Sequence, residues 1–481
     1  MRKYFLVIAL LLFNSAAFAK IPWPFVPFDS AQPLGNSYGE YQDYGGGPYM
    51  HPGIDILHPA GSHVYAVKSG WVKAILTTSA EYHWRVAIGD SAGPDSCDGW
   101  LYAHLDQFSI TVSVGEHVDS GQFLGDIVQW PVANFSHCHF VKIRNAGTTW
   151  NSDWLFVGNP LDELVNIDDF DAPYFLDINV GAPFRFCIDN TDTYFNVGAP
   201  LNEDVDIIAH AHDRIGHPTW VLAPYAMGYE IYSDSVHLGP YTSFAFNGRL
   251  FWDTAEHTIY KNSGPCNSAA DYNQRQFYEI LTNHNSDSTV EVGDESGKWA
   301  TGQIPNDNYK IKAWARDRYG NIAWDSMTVA TANFYTITGT VTTDDGNPFL
   351  KDVLVSVPFS ASTDSTDVSG AFGLASQPAG RYPVVVTRAG YQTYTVTPDV
   401  FGNLNLPIVL TSAPFVNGDV NHDGLVNVSD AVYLVTYIFS GGACPIPWGA
   451  GKYINSDPNI NISDVVYLIA YIFGGGPPPG G

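Results

Sequence analysis

The chain is predicted to be mainly β, with a small α region at its C-terminal end. Three observations carry this. Glycine (45) and proline (31) are frequent and cut the sequence into short segments, as expected of many strands joined by turns. Those segments alternate apolar and polar residues, as in Tyr309-Lys-Ile-Lys-Ala-Trp-Ala, or run apolar over a few positions, as in Arg85-Val-Ala-Ile. Both patterns belong to strands with one or both faces buried. Helical periodicity is confined to a duplicated segment near the end. At 481 residues the chain is long enough for several domains.

The N-terminus reads as a secretory signal over residues 1–19. Arg2 and Lys3 are its basic start, Tyr4 to Phe13 its apolar stretch, and Ala17-Phe18-Ala19 its small-residue cleavage pattern, with Lys20 the expected mature start. A secreted, periplasmic or cell-surface location follows; a retained anchor is the alternative. No other segment is long and apolar enough for a stable membrane insertion. The formal charge of -27 argues against nucleic acid and anionic membrane surfaces as partners. Of the five cysteines, Cys97 and Cys138 fall in one predicted domain and Cys187 and Cys266 in another, with Cys444 left over. Export permits disulfides, but their connectivity does not follow from sequence.

Residues 20–165 form the first domain. Val64-Tyr-Ala-Val, Gly70-Trp-Val-Lys-Ala-Ile-Leu, Arg85-Val-Ala-Ile-Gly and Trp100-Leu-Tyr-Ala-His-Leu read as strands of an antiparallel sheet. An acidic linker, Asn166-Ile-Asp-Asp-Phe-Asp-Ala-Pro173, leads into residues 174–333, an Ig-like β-sandwich region. Residues 334–411 are a further small sandwich, and 415–476 a duplicated loop-helix module. In that module Val426-Asn-Val-Ser-Asp-Ala-Val-Tyr-Leu recurs as Ile460-Asn-Ile-Ser-Asp-Val-Val-Tyr-Leu.

Chemistry concentrates in the first domain. His51-Pro-Gly-Ile-Asp55, Tyr102-Ala-His104-Leu and His137-Cys-His139-Phe hold five residues able to build a hydrolytic zinc site. Pro52 and Gly53 disfavour a helix, so the first motif is extended. In extended chain His51 and Asp55 share a face, as do His137 and His139, with Cys138 opposite. Two histidines and a carboxylate suit Zn²⁺ as three protein ligands with a fourth position open. Two histidines then remain to move protons: a neutral imidazole takes one from water, an imidazolium stabilises an oxyanion. Other histidines read as bland. His58, His63, His83 and His117 are expected on the surface or in loops. Ala209-His210-Ala-His212-Asp213, with His217, is expected to be a solvent-facing strand and turn rather than a metal site.

These three motifs, together with Ser69-Gly-Trp-Val and Val114-Gly-Glu-His-Val-Asp-Ser-Gly-Gln-Phe-Leu-Gly, resemble in order and spacing the lysostaphin-type peptidoglycan endopeptidases over residues 35–165. The resemblance implies a compact antiparallel β domain, His51, Asp55 and His139 as zinc ligands, and His104 and His137 as catalytic residues. It also implies the peptide part of peptidoglycan as substrate. Two places depart from the family pattern. Tyr38-Gly39-Glu40-Tyr41 stands where the family often has Gly-x-Arg, and Pro131-Val-Ala-Asn-Phe-Ser replaces a glycine-rich stretch. The competing class is a catalytically silent cell-wall binding adaptor or hydrolase activator.

Residues 334–411 resemble the carboxypeptidase regulatory-like module, which implies a seven-stranded sandwich without chemistry of its own. The loop Asp419-Val-Asn421-His-Asp423-Gly424-Leu425-Val-Asn427-Val-Ser-Asp430 reads as a calcium loop. Oxygen side chains fall at positions one, three, five, nine and twelve, Gly424 at the sharp turn, and Leu425 where a backbone carbonyl serves. Ending in Asp, lacking a preceding helix and being duplicated, it resembles a type I dockerin, which implies a cohesin-like protein partner. The second copy is degraded, with Tyr453 at the first position and Pro458 in place of the glycine. The helix faces Val432-Tyr433-Val435-Thr436 and Val466-Tyr467-Ile469-Ala470 are either core or interface.

Overall fold

The glycine-punctuated segments form antiparallel sheets over most of the chain. The structure, a computed structural model, describes residues 20–480 except 45–46, 78–80, 94–95, 144–156, 168, 249, 251–255, 271–273 and 288. The predicted signal segment 1–19 therefore lies outside the described residues. Among those described, helices longer than two turns occur only at Val428–Ser440 and Ile462–Gly474, so the mainly β expectation holds. The described residues fall into two units, one within 1–199, 204–299 and 309–329, the other within 200–203, 300–308 and 330–481.

The first unit contains an eight-stranded sheet. Its strands are β1 (Leu34–Asn36), β2 (Ile54–Leu57), β3 (Gly70–Thr77), β4 (Trp84–Gly89), β5 (Gly99–Leu105), β6 (His117–Val118), β7 (His137–Ile143) and β8 (Val157–Gly158). They pair in the order β1-β2-β7-β5-β4-β3-β6, with β8 also on β7. All seven residues of β7 are buried, and Trp100 stacks on Phe140 with ring centroids 5.0 Å apart. Register does the assembly work: His139 lies opposite Asp55 on β2 and opposite Ala103 on β5. Gly53 permits that approach, because a Cβ there would lie 2.5 Å from the Phe140 carbonyl oxygen.

The same unit holds two further large sheets, besides short two-stranded pairs. Asp204–His212 is the longest strand of a five-stranded one, and Ala226–Tyr232 pairs with both His237–Ala245 and Asn308–Arg316 in a four-stranded one. Cys187, Ile208, Cys266, Tyr278 and Ile280 share a small core. All five cysteines are free thiols, so neither the Cys187–Cys266 nor the Cys97–Cys138 pairing is made.

In the second unit, residues 334–411 form two four-stranded sheets and a short two-stranded pair. Val341, Val355, Phe372, Val384 and Leu410 are among its buried core. In the C-terminal module each long helix starts with the same device. The Asn427 side chain accepts from Ser429 N while Asp430 accepts from the Asn427 N–H, and Asn461 and Asp464 repeat it. These reciprocal caps satisfy orphan helix donors. Ala431, Leu434, Val465 and Leu468 pack the two helices together.

Candidate metal centre

Adjacent strands deliver the first three candidates. Asp55 on β2 and His139 on β7 are direct cross-strand neighbours, and His51 precedes β2 by three residues. Their donor atoms converge. His139 Nδ1 is 2.8 Å from Asp55 Oδ1 and 2.9 Å from His51 Nε2, and His51 Nε2 is 3.3 Å from Asp55 Oδ1. Among the described residues, no other set of three or more His, Cys, Asp or Glu brings its ligand atoms within 4.8 Å. Tetrahedral bonds of about 2.0–2.2 Å need ligand atoms roughly 3.3 Å apart, so the three fit a zinc ion with small outward shifts. The surrounding shell supports the same reading. His51 Nδ1 lies 2.9 Å from the Ser37 carbonyl oxygen. A carbonyl only accepts, so Nδ1 carries the proton and Nε2 presents its lone pair. Asn36 donates to Asp55 Oδ2 at 2.5 Å.

His104 reaches the site by a different route. Ala103 already faces His139, so simple alternation would turn His104 to the other side. Between β4 and β5, however, Trp84 pairs with Leu105 and Arg85 with Ala103, leaving His104 as an extra residue. Its φ of 66° is left-handed. This is a β-bulge, a device that re-aims a side chain. The His104 ring thereby lies 4.6 Å from that of His137 and 5.9 Å from that of His139. Its Nδ1 donates to the Tyr82 carbonyl at 2.8 Å, and His137 Nδ1 donates to the Phe135 carbonyl at 2.8 Å. All five predicted residues are therefore brought to one cleft of about 470 Å³.

Burial dominates the electrostatics. It pushes His104 well below its usual pKa, with His137 and His139 adding to the effect. It also lowers His137, against the pull of Asp55, and takes His139 down to about 4. For Asp55 burial acts upward, but the charges of His137 and His51 and hydrogen bonds from His139 and His51 hold its carboxyl well below the ordinary range. His51 loses basicity to burial and regains more from Asp55 and Glu40, ending raised. The arrangement is thus a carboxylate beside three imidazoles held toward the neutral form and one, His51, held toward the charged form, a set suited to a cation.

Several cleft residues were not singled out in the sequence. His83, expected in a surface loop, lines the cleft with its ring 5.4 Å from that of His104. Trp130 packs against both His104 and His137 at 4.5 and 4.9 Å. Arg85 also lines it and is buried; its burial lowers the guanidinium pKa to about 10. None carries a motif, and only their fold neighbours reveal them. The strand with His210 and His212 corrects the expectation of a solvent-facing face: both are buried, with Nε2 atoms 3.2 Å apart.

The 419–430 loop is shaped by its own backbone. Asp419 accepts from the N–H groups of Asp423 and Gly424, and Gly424 has φ +86°. Asp430, fully buried, accepts from Val420 N and Asn427 N, both at 2.9 Å. Asn421 and Asp423 stand beside each other, Nδ2 to Oδ2 3.0 Å, on the exposed side with Leu425. In the second copy Asp464 Oδ2 accepts from Asn461 N, while its Oδ1 is buried without a hydrogen-bond partner.

A buried His/Asp/His triad at two adjacent antiparallel strands, flanked by two more imidazoles, is an arrangement that could hold a metal ion. Residues 49–152, which span all five, match the profile of Peptidase family M23, and the chain carries an M23 domain there. Among solved structures, the catalytic domain of the antimicrobial peptidase lysostaphin from Staphylococcus simulans is 24% identical, covers 27% of this chain and 90% of its own, and has a TM-score of 0.23. A putative peptidase M23 from Pseudomonas aeruginosa is 18% identical, covers 32% of this chain and 53% of its own, with a TM-score of 0.22. A type II cohesin-X-dockerin complex from Acetivibrio cellulolyticus is 17% identical, covers 29% of this chain and 95% of the matched chain, with a TM-score of 0.19. No curated protein matches this chain.

Proposed function

We propose that this chain is an exported zinc metalloendopeptidase that hydrolyses peptide bonds of peptidoglycan, at a cross-link or cross-bridge. The observation that carries this is the convergence of His51 Nε2, Asp55 Oδ1 and His139 Nδ1 in a cleft shared with His104 and His137. His51, Asp55 and His139 would hold the ion, which when bound supplies Lewis acidity and a water whose pKa falls to about 7. The chain's own residues do the rest. His104 and His137 each spend Nδ1–H on a backbone carbonyl, which fixes the ring and leaves Nε2 to exchange a proton. A neutral ring takes the proton of the attacking water; a protonated ring donates to the carbonyl oxygen as charge develops on it. Trp130 and Phe135 beside these rings exclude water from one side of the cleft.

The full-length chain is incubated with purified peptidoglycan, new amino termini are counted and zinc is quantified, beside His137→Ala. We expect cleavage by the wild type with about one zinc at the triad, and a loss of roughly 10²–10⁴-fold in His137→Ala with zinc retained. Zinc without cleavage on several peptidoglycan types would overturn the enzyme reading and put the silent adaptor in its place.

The C-terminal module is proposed to bind calcium through Asp419, Asn421, Asp423, Leu425, Asn427 and Asp430 and to dock a cohesin-like partner. The open apolar rows on its two helices support docking. Val428, Val432, Val435 and Phe439 on one, and Ile462, Val466, Ile469 and Phe473 on the other, are all at least 40% exposed.

A further inference from the structure

The segment Tyr38-Gly39-Glu40-Tyr41, which departs from the family pattern, is held by residues from beyond position 200 in the same unit. Tyr260 Oη donates to the Gly39 carbonyl at 3.0 Å, and Asn262 Nδ2 to Tyr41 Oη at 2.5 Å. Arg275 is the centre of this grip. Its Nη1 donates to the Gly35 carbonyl at 2.5 Å and to the Val221 carbonyl at 3.2 Å, and lies 3.5 Å from Glu40 Oε1. Arg275 is 9% exposed, Glu40 not at all. The guanidinium lies over the Trp220 ring at 4.9 Å and the Phe135 ring at 5.5 Å.

Both arms of this contact lead into the metal centre. On one side, Glu40 Oε2 accepts from Ser37 N at 3.0 Å and Ser37 Oγ at 3.2 Å, and the Ser37 carbonyl accepts from His51 Nδ1. The backbones of Gly39 and Glu40 also exchange hydrogen bonds with His51, Gly39 N to His51 O at 2.9 Å and His51 N to Glu40 O at 2.8 Å. Asn36, which donates to Asp55, sits in the stretch whose two ends, Gly35 and Glu40, Arg275 bridges. On the other side, the Phe135 carbonyl orients His137, and the Phe135 ring is packed between His137 and Trp220 at 4.9 and 4.8 Å.

We propose that Arg275 is a positioning residue for the metal centre, fixing the 35–40 turn that orients His51 and Asp55 and the Phe135 support that orients His137. A residue from the 174–333 region thus holds the segments whose Asn36, Ser37 and Phe135 groups hydrogen-bond Asp55, His51 and His137. Groups that orient metal ligands are typically worth 10–100-fold in metal affinity, and a planar guanidinium stacked on two rings is not replaced in full by an ammonium.

The proposal rests on the zinc-site reading above, so its test reads metal binding rather than cleavage. Zinc affinity of the full-length chain is measured by competition with a chromophoric chelator, and the visible spectrum is recorded after cobalt substitution, for wild type, Arg275→Met, Arg275→Lys and the doubly neutral Glu40→Gln/Arg275→Met. Arg275→Met is expected to bind zinc roughly 10–100-fold more weakly with an altered cobalt spectrum, and Arg275→Lys to recover part of the loss. Should Arg275→Met not fold because Glu40 is left buried and unpaired, the double variant, which buries no charge, decides in its place and is expected to show the same weakening. Folded variants with a lowered melting temperature but wild-type zinc affinity and cobalt spectrum would reduce Arg275 to packing and overturn the proposal. Wild-type chain that binds no zinc would overturn the metal-site reading itself, whereas wild type that binds zinc without cutting peptidoglycan leaves the role of Arg275 standing.

Discussion

His210 and His212 show how burial rather than sequence neighbourhood sets a side chain's behaviour. Two residues apart on one strand, they share a face, but that face is covered, and the Nε2 atoms meet at 3.2 Å. Burial lowers His210 to about 4; burial together with His210 and Arg214 lowers His212 to about 3. Unfolded histidine titrates near 6.5. Between that value and the folded ones the unfolded state binds more protons, so their neutral burial contributes stability above about pH 6.5 that is lost as pH falls toward 4. Buried carboxylates work the other way: burial and Asp317 raise Asp169 to about 7, which favours the folded state as pH falls. The histidine contribution is therefore read as a difference. His210→Gln/His212→Gln should lose less melting temperature than the wild type between pH 7.5 and pH 5. Parallel curves for the two proteins would contradict the neutral burial of these rings.

Two elements carry most of the metal centre, and they differ in how much of them the sequence discloses. The extended His51–Asp55 motif and the His137–His139 pair follow from a period of two, and the structure keeps that parity. Gly53 is part of the same logic. An alanine there places Cβ 2.5 Å from the Phe140 carbonyl and 2.9 Å from Val141 Cγ2, contacts that only a backbone shift between β2 and β7 relieves. Overpacking of this kind costs about 1–3 kcal/mol, and the shift falls between Asp55 and His139. Gly53→Ala should accordingly lower the melting temperature and weaken zinc binding together; a variant that loses stability but keeps zinc affinity would show that β2 and β7 hold their register without the close approach. His104 was legible as a residue but not as a position, since alternation directs it away from His139 and only the bulge with its left-handed φ turns it back. Arg275 was not legible at all. It stands 235 residues from Glu40, and no local pattern distinguishes an arginine that salt-bridges a buried glutamate from one in solvent.

At the scale of the whole molecule, two units carry two candidate metal sites of opposite character. The His51, Asp55 and His139 triad lies in the first unit, made of borderline nitrogen donors and one carboxylate; the 419–430 loop lies in the second, made of oxygen donors alone. The acidic linker at 166–173 lies within the first unit, between its eight-stranded and five-stranded sheets. A ligand that binds only the folded form stabilises it by RT ln(1 + [L]/Kd), about 2.7 kcal/mol at one hundred times Kd, and a chain of two units need not unfold as one. Calorimetry of the full-length chain should therefore show two separable metal-linked responses. Chelation lowers both transitions. Adding back zinc alone, which suits nitrogen ligands, restores the one lost from His51→Ala, and calcium alone, which demands oxygen, restores the one lost from Asp419→Ala. Since the second copy of the loop has Tyr453 and Pro458 at its first and sixth positions, the calcium response should titrate as a single site. A calcium response abolished by His51→Ala, or unchanged in Asp419→Ala, would mean that the oxygen loop holds no ion and that its carboxylates serve only to cap the helix at 428–440.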